Sequence, residues 1–218
     1  MIVAGVETTV TPEAVIVTAA RDLTVVSSAF AGGGVGRART LVNLHVAKNF
    51  PCADGDATVG AFVRRRNLPS PWIGLLTSAW TEKAESALEA AGGITALVVA
   101  TVGLSNASAA GVTAASPPTP GTINTIVVVD ADVEPAAMVN LVMTVTEVKT
   151  ALLLEAGVKS PDGIAATGTS TDAVAIAATG VGTRCRFGGP ITEVGWVVAR
   201  AARRALGAGV RRWLEDNR

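Results

Sequence analysis

A continuous apolar segment followed by an amphipathic one constrains the fold of this chain more than any other feature. Residues 123–129 are almost all apolar or β-branched, which is typical of a strand buried on both faces. Pro120 and Gly121 predict a turn before it, and Asp132 and Pro135 predict a helix start after it. Apolar residues then recur at helical spacing, at Met138, Leu141, Val142, Val145, Val148 and Leu152, until Gly157. A buried strand leading into a one-faced helix is typical of α/β folds.

The same alternation continues through the rest of the chain. We expect two β-branched strands, 14–18 and 23–27, to form a hairpin or meander around the polar pair Arg21-Asp22. The other predicted elements are strands at 72–77, 94–102 and 173–176, and helices from the glycine loop to about 49, at 54–67, at 81–91 and from 194 onwards. We predict one α/β domain over residues 1–218, with a parallel or mixed sheet and a ligand site at glycine-, Thr- and Asn-rich strand-end loops.

Residues 104–121 form a long stretch of Ser, Ala, Pro and Gly without periodicity. An irregular segment of this length in a compact domain is usually a lid, a binding loop or a disordered segment. We expect it to be a mobile flap over the ligand site.

Composition and charge exclude several classes of partner. Lys plus Arg equals Asp plus Glu at 18 each, so no net field attracts nucleic acid or an anionic membrane. The aromatic share is 4%, which leaves little material for the stacking surface that single-stranded nucleic acid needs. No apolar run approaches the ~20 residues of a membrane span, and no basic leader is visible. We expect a cytoplasmic protein with no nucleic-acid or membrane partner, which the sequence allows to be a homo-oligomer.

Charge and thiol patterns add two open questions. The arginine-rich segment 200–212 is either a solvated helix face or a contact for an anion or partner. Cys52 and Cys185 are far apart and form neither a CxxC nor a disulfide framework, so we expect both to be buried or incidental thiols in a reducing cytoplasm. Arg184 and Arg186 beside Cys185 would lower the pKa of its thiol if they lie close to it.

Motifs for metals, nucleotides and the common hydrolase triad are missing from the sequence. His45 is the one histidine, which rules out a multi-histidine metal site and leaves it as a hydrogen-bonded structural residue or a base. The chain has no GxGxxG register, no Gly-Lys-Ser/Thr ending and no GxSxG elbow. We therefore expect no metal and no cofactor.

Five strand-end loops are instead built from Gly, Ser, Thr and Asn, at residues 27–34, 77–79, 101–107, 121–124 and 166–172. Glycine lets a ligand approach the backbone, and the polar side chains supply neutral hydrogen-bond donors and acceptors. Turn chemistry explains each loop singly. Together they favour a site for a large ligand rich in amides and hydroxyls.

These loops also carry a family resemblance. The motifs are Ser-Ser-Ala at 27–29, Gly-Gly at 32–33 followed by Asn43, Gly-Leu-Leu-Thr-Ser-Ala at 74–79, Thr-Val-Gly-Leu-Ser-Asn-Ala at 101–107, Gly-Thr-Ile-Asn at 121–124, Thr-Glu-Val-Lys-Thr at 146–150 and Ala-Thr-Gly-Thr-Ser-Thr-Asp at 166–172. In this order, from about 27 to 195, the chain resembles the adenosylcobinamide amidohydrolases. The last three motifs are the specific ones.

The resemblance implies a corrinoid substrate and a reaction of cobalamin salvage. The reaction is hydrolysis of the amide that joins aminopropanol to the corrin ring of adenosylcobinamide, which yields adenosylcobyric acid. The implied substrate-binding residues are Ser28, Gly32, Gly33, Asn43, Thr77, Ser105, Asn106, Thr122, Asn124, Thr167, Gly168 and Thr169. The alternative is a non-catalytic corrinoid- or metabolite-binding protein on the same scaffold.

The implied catalytic residues are Glu147, Lys149 and Asp172. On the helix predicted over 135–156, steps of ~100° put Glu147 opposite the apolar stripe and Lys149 at its edge, so the two do not share a face. We expect Glu147 to be the general base for water and Asp172 to orient the site. Lys149, or backbone amides near Gly168, would stabilise the oxyanion.

Overall fold

The computed structural model describes residues 3–117 and 122–217, so the predicted Pro120-Gly121 turn lies outside the described residues, as does the side chain of Cys52. Within these ranges the chain forms twelve strands, three α-helices and two short 3₁₀ helices, Cys52–Asp54 and Thr81–Lys83. The strands are β1 (Val6–Val10), β2 (Ala14–Ser27), β3 (Gly34–His45), β4 (Trp72–Thr77), β5 (Glu85–Ala91), β6 (Ile94–Val102), β7 (Ala107–Ser108), β8 (Ile123–Asp130), β9 (Asp132–Val133), β10 (Gly168–Thr169), β11 (Ala173–Ala178) and β12 (Arg184–Cys185). The helices are α1 (Gly55–Arg65), α2 (Pro135–Glu155) and α3 (Glu193–Asp216).

Eight of these strands form one mixed sheet. Its order is β4-β3-β2-β11-β8-β6-β5, and β1 pairs with β2 beside this path. Strand β3 runs parallel to β4 and β8 runs parallel to β11, while the other neighbours are antiparallel. The structure therefore confirms the α/β class and shows that the sheet is mixed.

The sheet folds over so that its two halves face each other. Helices α2 and α3 cover one face of the half made by β5, β6, β8 and β11, and α1 covers the half that contains β3. Between the halves, Leu41 and Leu75 of β3 and β4 lie in one core with Ile126 and Val128 of β8. Because β3 and β8 are not neighbours in the strand order, this contact arises only from the folding of the sheet.

The predicted hairpin at the N-terminus is wrong, because residues 14–27 form one long strand. The register of β2 against β3 shifts between Thr18 and Leu23. The polar pair Arg21-Asp22 falls in this irregular stretch, which absorbs extra residues as a β-bulge does and bends the strand. A bulge and a turn both favour polar residues, so the sequence pattern does not separate them.

Two predicted helices are also strands. Residues up to His45 form β3, in which neighbours such as Leu41 and Val42 are both fully buried because they pack on opposite faces of the strand. Residues 85–91 form the edge strand β5, although their Ala and Glu content favours a helix. In β5, Glu85, Ala87 and Glu89 alternate onto one face, where the two carboxylates pair with arginines of α3. Tertiary packing overrides helix propensity at both places.

The remaining predicted elements are confirmed. Strands expected at 72–77, 94–102, 123–129 and 173–176 are β4, β6, β8 and β11, and the helices expected at 54–67, 135–156 and the C-terminus are α1, α2 and α3. The residue that caps α2 is Glu134, with Pro135 next, whereas Asp132 belongs to β9.

Helix α2 is long and apolar enough to qualify as a membrane span, with a mean hydropathy of 1.5 in a window of which 39% is buried. The sequence has no unbroken apolar run of this length, because α2 contains Glu147 and Lys149. One face of α2, including Met138 and Leu141, is fully buried in the core. The core helix of a globular protein satisfies the same criterion.

Most arginines of the C-terminal helix α3 form ion pairs with other elements of the fold. Arg200 and Arg204 both contact Glu89, at 3.3 and 2.6 Å, and Arg203 contacts Glu155 of α2 at 2.7 Å. Arg212 pairs with Glu85. The guanidinium of Arg204, which donates a hydrogen bond, and that of Arg200 lower the pKa of Glu89. These contacts explain most of the arginine cluster without an external partner.

Residues 104–117 are more ordered than an irregular loop. Strand β7 pairs with β10, and the amide of Ala110 donates to Thr167 Oγ1 at 2.9 Å. The first part of this segment is thus attached to the 166–172 loop, and its action as a flap stays a prediction.

Candidate active site

A buried ion pair lies where α2 meets the loop before β11. The Lys149 ammonium donates to Oδ2 of Asp172, and each side chain is only 12% exposed. Lys149 reaches this position because it lies at the edge of the apolar stripe of α2, as its spacing predicted. Asp172 is the last residue before β11, so the start of that strand fixes its backbone.

The carboxylate of Asp172 is fully occupied by hydrogen bonds. Oδ1 accepts from the amide of Ile123 at 3.0 Å and from the hydroxyl of Thr169, and Oδ2 accepts from the amide of Thr169 at 3.0 Å and from Lys149. A carboxylate has about four acceptor positions. Asp172 therefore holds β8, β10 and Lys149 together and has no acceptor position left for a water.

Gly168 makes room for this ion pair. A Cβ atom there would lie 2.6 Å from Asp172 Oδ2 and 2.8 Å from Lys149 Nζ. Any side chain at this position would have to push one partner aside. The glycine of the Ala-Thr-Gly-Thr motif thus serves the close approach of backbone and ion pair.

Hydrogen bonds from three other segments of the chain stabilise the 166–172 loop around the ion pair. Thr150 Oγ1 of α2 donates to the carbonyl of Thr167 at 3.0 Å. Thr122 Oγ1 donates to the carbonyl of Thr171 at 2.7 Å. Asn106 Nδ2 donates to Ser170 Oγ at 2.7 Å. The 101–107, 121–124 and 166–172 motifs, which are far apart in sequence, are therefore in direct contact.

Asp172 also lines a pocket of about 220 Å³, called here the Asp172 pocket. Its polar lining consists of Asp172, Thr171 and the exposed Ser28, whose Oγ accepts from the amide of Val174 at 3.0 Å. The apolar lining is Phe30, Val46, Phe50, Leu75, Leu76 and Ala173. A small apolar pocket with a few convergent polar groups is the usual form of a small-molecule site.

Two asparagines predicted to bind substrate form a buried hydrogen-bond network next to this pocket. Asn124 Nδ2 donates to Asn43 Oδ1 at 2.8 Å and to the carbonyl of Leu76 at 2.9 Å, and Asn43 Nδ2 donates to Thr101 Oγ1 at 2.8 Å. Asn43 and Asn124 are 2% and 1% exposed. Thr77 is fully buried as well, and its Oγ1 accepts from the amide of Ala79 at 3.0 Å. The hydrogen bonds of these buried side chains stabilise the ends of the strands next to the pocket.

The glycine loop contributes backbone geometry. Gly32 has a φ of 67°, and a Cβ on Gly33 would lie 2.3 Å from the carbonyl oxygen of Ala29. Ala31 next to them exchanges two backbone hydrogen bonds with Gly74, at 2.8 and 2.9 Å. The close turn thus explains both glycines, and it positions Ser28 and Phe30 at the pocket.

Two candidate bases lie apart from the ion pair. Neither Glu147 nor Lys149 is among the residues that line the Asp172 pocket, but Lys149 contacts the pocket residue Asp172, whereas Glu147 is on the exposed side of α2. His45 stacks on Trp80 with ring centroids 5.1 Å apart, and its Nδ1 lies 3.0 Å from the carbonyl oxygen of Ala79. Since a carbonyl only accepts, Nδ1 carries the proton, which fits a hydrogen-bonded structural histidine.

The thiol of Cys185 lies in an environment that disfavours the thiolate. Burial raises its pKa, and the carboxylates of Glu193 and Asp132 add to the effect. The expected influence of its arginine neighbours is absent because Arg184 pairs with Glu134 and Arg186 lies over Phe187. Across residues 3–117 and 122–217, no group of three or more His, Cys, Asp or Glu is arranged to hold a metal ion.

Two aromatic residues that none of the sequence motifs indicates also belong to the site. Phe30 and Phe50 line the Asp172 pocket, and Phe30 is 46% exposed. The chain has only eight Phe and Trp residues and no Tyr. A phenylalanine inside a glycine loop is therefore a signal that sequence reasoning could have used.

A family model described as adenosylcobinamide amidohydrolase matches residues 2–218. The chain belongs to the adenosylcobinamide amidohydrolase family. The match extends the resemblance beyond 27–195 to the N-terminal strands and to α3. As a member of this family, the chain is a hydrolase that acts on an amide bond. A comparison with curated protein sequences gave no significant match.

Solved structures with a similar chain course include two amide-cleaving enzymes. A Burkholderia sp. beta-aminopeptidase has 10% identity and a TM-score of 0.48, over 93% of this chain and 78% of that one. The L-aminopeptidase D-Ala-esterase/amidase of Ochrobactrum anthropi has 11% identity and a TM-score of 0.42, over 95% and 83%.

Proposed function

We propose that this amidohydrolase hydrolyses the amide joining aminopropanol to the corrin ring of adenosylcobinamide, with Lys149 and Asp172 at the reacting centre. The observation that carries the proposal is the buried Lys149–Asp172 pair, whose carboxylate also lines a pocket among the family's motifs. The corrinoid is then the small-molecule partner of the protein, and cobalamin salvage in the cytoplasm is its setting.

The reaction needs no co-reactant besides water. The oxygen of water bonds to the carbonyl carbon, the carbon–nitrogen bond breaks, and a proton goes to the leaving amine. The products are adenosylcobyric acid and aminopropanol. The chemical demands on the protein are stabilisation of the developing oxyanion, an activated water and a proton for the amine.

Lys149 suits the first of these demands. An ammonium group has three donors, and one of them binds Asp172. A fixed positive charge in a water-poor site stabilises an oxyanion far more than it would in bulk water. Asp172 holds Lys149 in place and, with its acceptor positions filled, does not act as the base.

The Asp172 pocket suits the small end of the substrate. Its volume of about 220 Å³ is below the ~300–1,000 Å³ of sites for drug-sized ligands. Aminopropanol, with a methyl group and a hydroxyl, matches a lining of Phe30 and Phe50 together with Ser28. The corrin macrocycle then stays outside, over the polar strand-end loops.

The proposed mechanism assigns no catalytic role to Glu147. The sequence suggested it as the general base, but it faces away from the Lys149–Asp172 pair on the exposed side of α2. Its place in the Thr-Glu-Val-Lys-Thr motif makes it a useful comparison for Lys149.

The direct test is incubation of the purified protein with adenosylcobinamide, without ATP, followed by mass spectrometry of both products. Equal amounts of aminopropanol and adenosylcobyric acid are expected. Corrinoid binding without aminopropanol release would favour the non-catalytic corrinoid-binding protein. Release that requires ATP would contradict simple hydrolysis.

A further inference from the structure

A second cleft lies beside the Asp172 pocket. It has a volume of about 230 Å³ and lies between the end of β4, residues 102–105 and the last turns of α3. Its lining includes the indole rings of Trp80 and Trp213 and the hydroxyls of Ser78 and Ser105. The mechanism proposed above uses none of these residues. We call it the Trp80 cleft.

Trp80 is held as a fixed, open aromatic surface. His45 stacks on one side of the indole with an angle of 11° between the rings, and the hydrogen bond to Ala79 fixes His45. Nevertheless Trp80 is 58% exposed, so its other face is open to solvent. A large aromatic side chain that is both immobilised and exposed is typical of a binding site.

The charges in the cleft favour a neutral ligand group. Lys83 pairs with Asp216 at 2.8 Å, and Arg212 pairs with Glu85. These two cations are therefore already compensated, and the third cation of the lining, Lys48, is exposed to solvent. The cleft thus has no cluster of uncompensated cations that would form a phosphate site. Two indoles and two hydroxyls match a flat heteroaromatic ring with polar edges, such as a purine.

The cleft and the Asp172 pocket are close enough to bind one ligand. Leu76 lines the pocket and Ser78 lines the cleft, and the same relation holds for Val46 and Lys48. Two residues of extended chain span at most about 7 Å. A corrinoid is larger than either cavity, so one molecule can reach both.

We propose that Trp80 is the stacking surface for the purine of the upper axial 5′-deoxyadenosyl group, while the aminopropanol amide lies in the Asp172 pocket. This inference rests on the proposed function. It makes the Trp80 cleft the part of the site that selects adenosylated corrinoids over corrinoids with a small upper ligand.

The test compares the affinity for two corrinoids that differ in the upper ligand, adenosylcobinamide and cyanocobinamide, by equilibrium dialysis in dim light, with all variants made in a Lys149→Met background so that the substrate is not hydrolysed during the measurement. Stacking on one aromatic ring supports about a tenfold or larger change in affinity. We expect Trp80→Leu to raise the Kd for adenosylcobinamide by about tenfold or more, and the Kd for cyanocobinamide by less than threefold. Trp80→Phe, which keeps a ring, should recover most of the lost affinity.

Trp196→Leu is the matched control, because Trp196 is a 46% exposed indole on α3 that lies outside the cleft. An equal rise in both Kd values for Trp80→Leu, or no rise in either, would overturn the proposal. The two proposals fail separately: tight, Trp80-dependent binding without product refutes only the hydrolysis. Turnover with Kd values that do not depend on Trp80 refutes only the stacking surface.

Discussion

Asn43 and Asn124 are 81 positions apart in the sequence, and their side-chain amides are joined by a 2.8 Å hydrogen bond. The bond links β3 to β8, which face each other only because the sheet folds over. Asn124 also donates to the carbonyl of Leu76, a residue of the Asp172 pocket. The buried amide of Asn124 thus links the contact between the two halves of the sheet to the backbone of the Asp172 pocket.

Replacement of this amide should lower stability. In Asn124→Leu, the side-chain oxygen of Asn43 and the carbonyl of Leu76 lose their donors while buried. The expected loss in the free energy of unfolding is about 1–3 kcal/mol, measured by urea titration. Asn49→Ala, at an exposed position, should change it by less than about 0.5 kcal/mol. Equal stability of the two variants would show that the network contributes little.

The Lys149–Asp172 pair should show strong coupling in a double-mutant cycle. Asp172→Asn leaves a buried ammonium without its counter-charge, and we expect a loss of about 3 kcal/mol. Adding Lys149→Met should restore much of this stability but none of the activity. The exposed Arg203–Glu155 pair serves as a control, with an expected coupling below about 1 kcal/mol. Additive effects of Lys149→Met and Asp172→Asn would contradict the pairing.

Gly168→Ala should affect the site more than the fold. The added methyl meets the mobile ends of Lys149 and Asp172, so the pair shifts while the backbone remains. A displacement of this kind can cost about 10²-fold in rate, to be read from the initial rate of aminopropanol release. Gly36→Ala, whose Cβ would meet nothing within 4 Å, should keep the rate within about twofold. A normal rate in Gly168→Ala would show that a side chain at residue 168 does not disturb the Lys149–Asp172 pair.

Three of the five predicted helices, most of the predicted strands and most site motifs could be predicted from sequence because each is encoded locally. Val127 and Leu141 belong to continuous or periodic patterns, and Lys149 lies where helical spacing puts it. The folding of the sheet could not be predicted, since it depends on the irregular stretch of β2 and on contacts such as Asn43 with Asn124. For the same reason the sequence could not show that these two asparagines, which the resemblance implies bind substrate, hydrogen-bond to each other in a buried network.

The catalytic roles show a similar limit. Asp172 was expected to orient the site, and its four hydrogen bonds suit that role. The motif favours Glu147 as base, although helical spacing puts it opposite the apolar stripe, and the structure has it on the exposed side of α2. Nothing in the sequence pattern singles out Trp80, because an aromatic residue between a strand and a short turn has no periodicity to interpret.

Cys185 should react slowly with alkylating agents at neutral pH, because the raised pKa keeps its thiol protonated. In a Cys52→Ser background, iodoacetamide should label the native protein much more slowly than the urea-unfolded protein. The folded thiol holds its proton more tightly than the unfolded one. The contribution of the Cys185 thiol to the free energy of unfolding is therefore present below the pKa that the thiol has in the unfolded chain. It is lost as the pH rises through the higher pKa of the thiol in the folded protein.

Cys185→Ser should keep turnover within about threefold; a hundredfold loss would mean that the thiol takes part in the reaction.

The role of the Lys149–Asp172 pair as the reacting centre is tested most directly by the turnover number of Lys149→Met with adenosylcobinamide. Asp172 keeps three hydrogen bonds in this variant, so the loop should remain folded while the positive charge disappears. The expected loss is about 10²–10³-fold. Glu147→Gln, a neutralising change on the same helix, should keep turnover within about threefold. Near-normal turnover in Lys149→Met, or a comparable loss in Glu147→Gln, would contradict the assignment of the Lys149–Asp172 pair as the reacting centre.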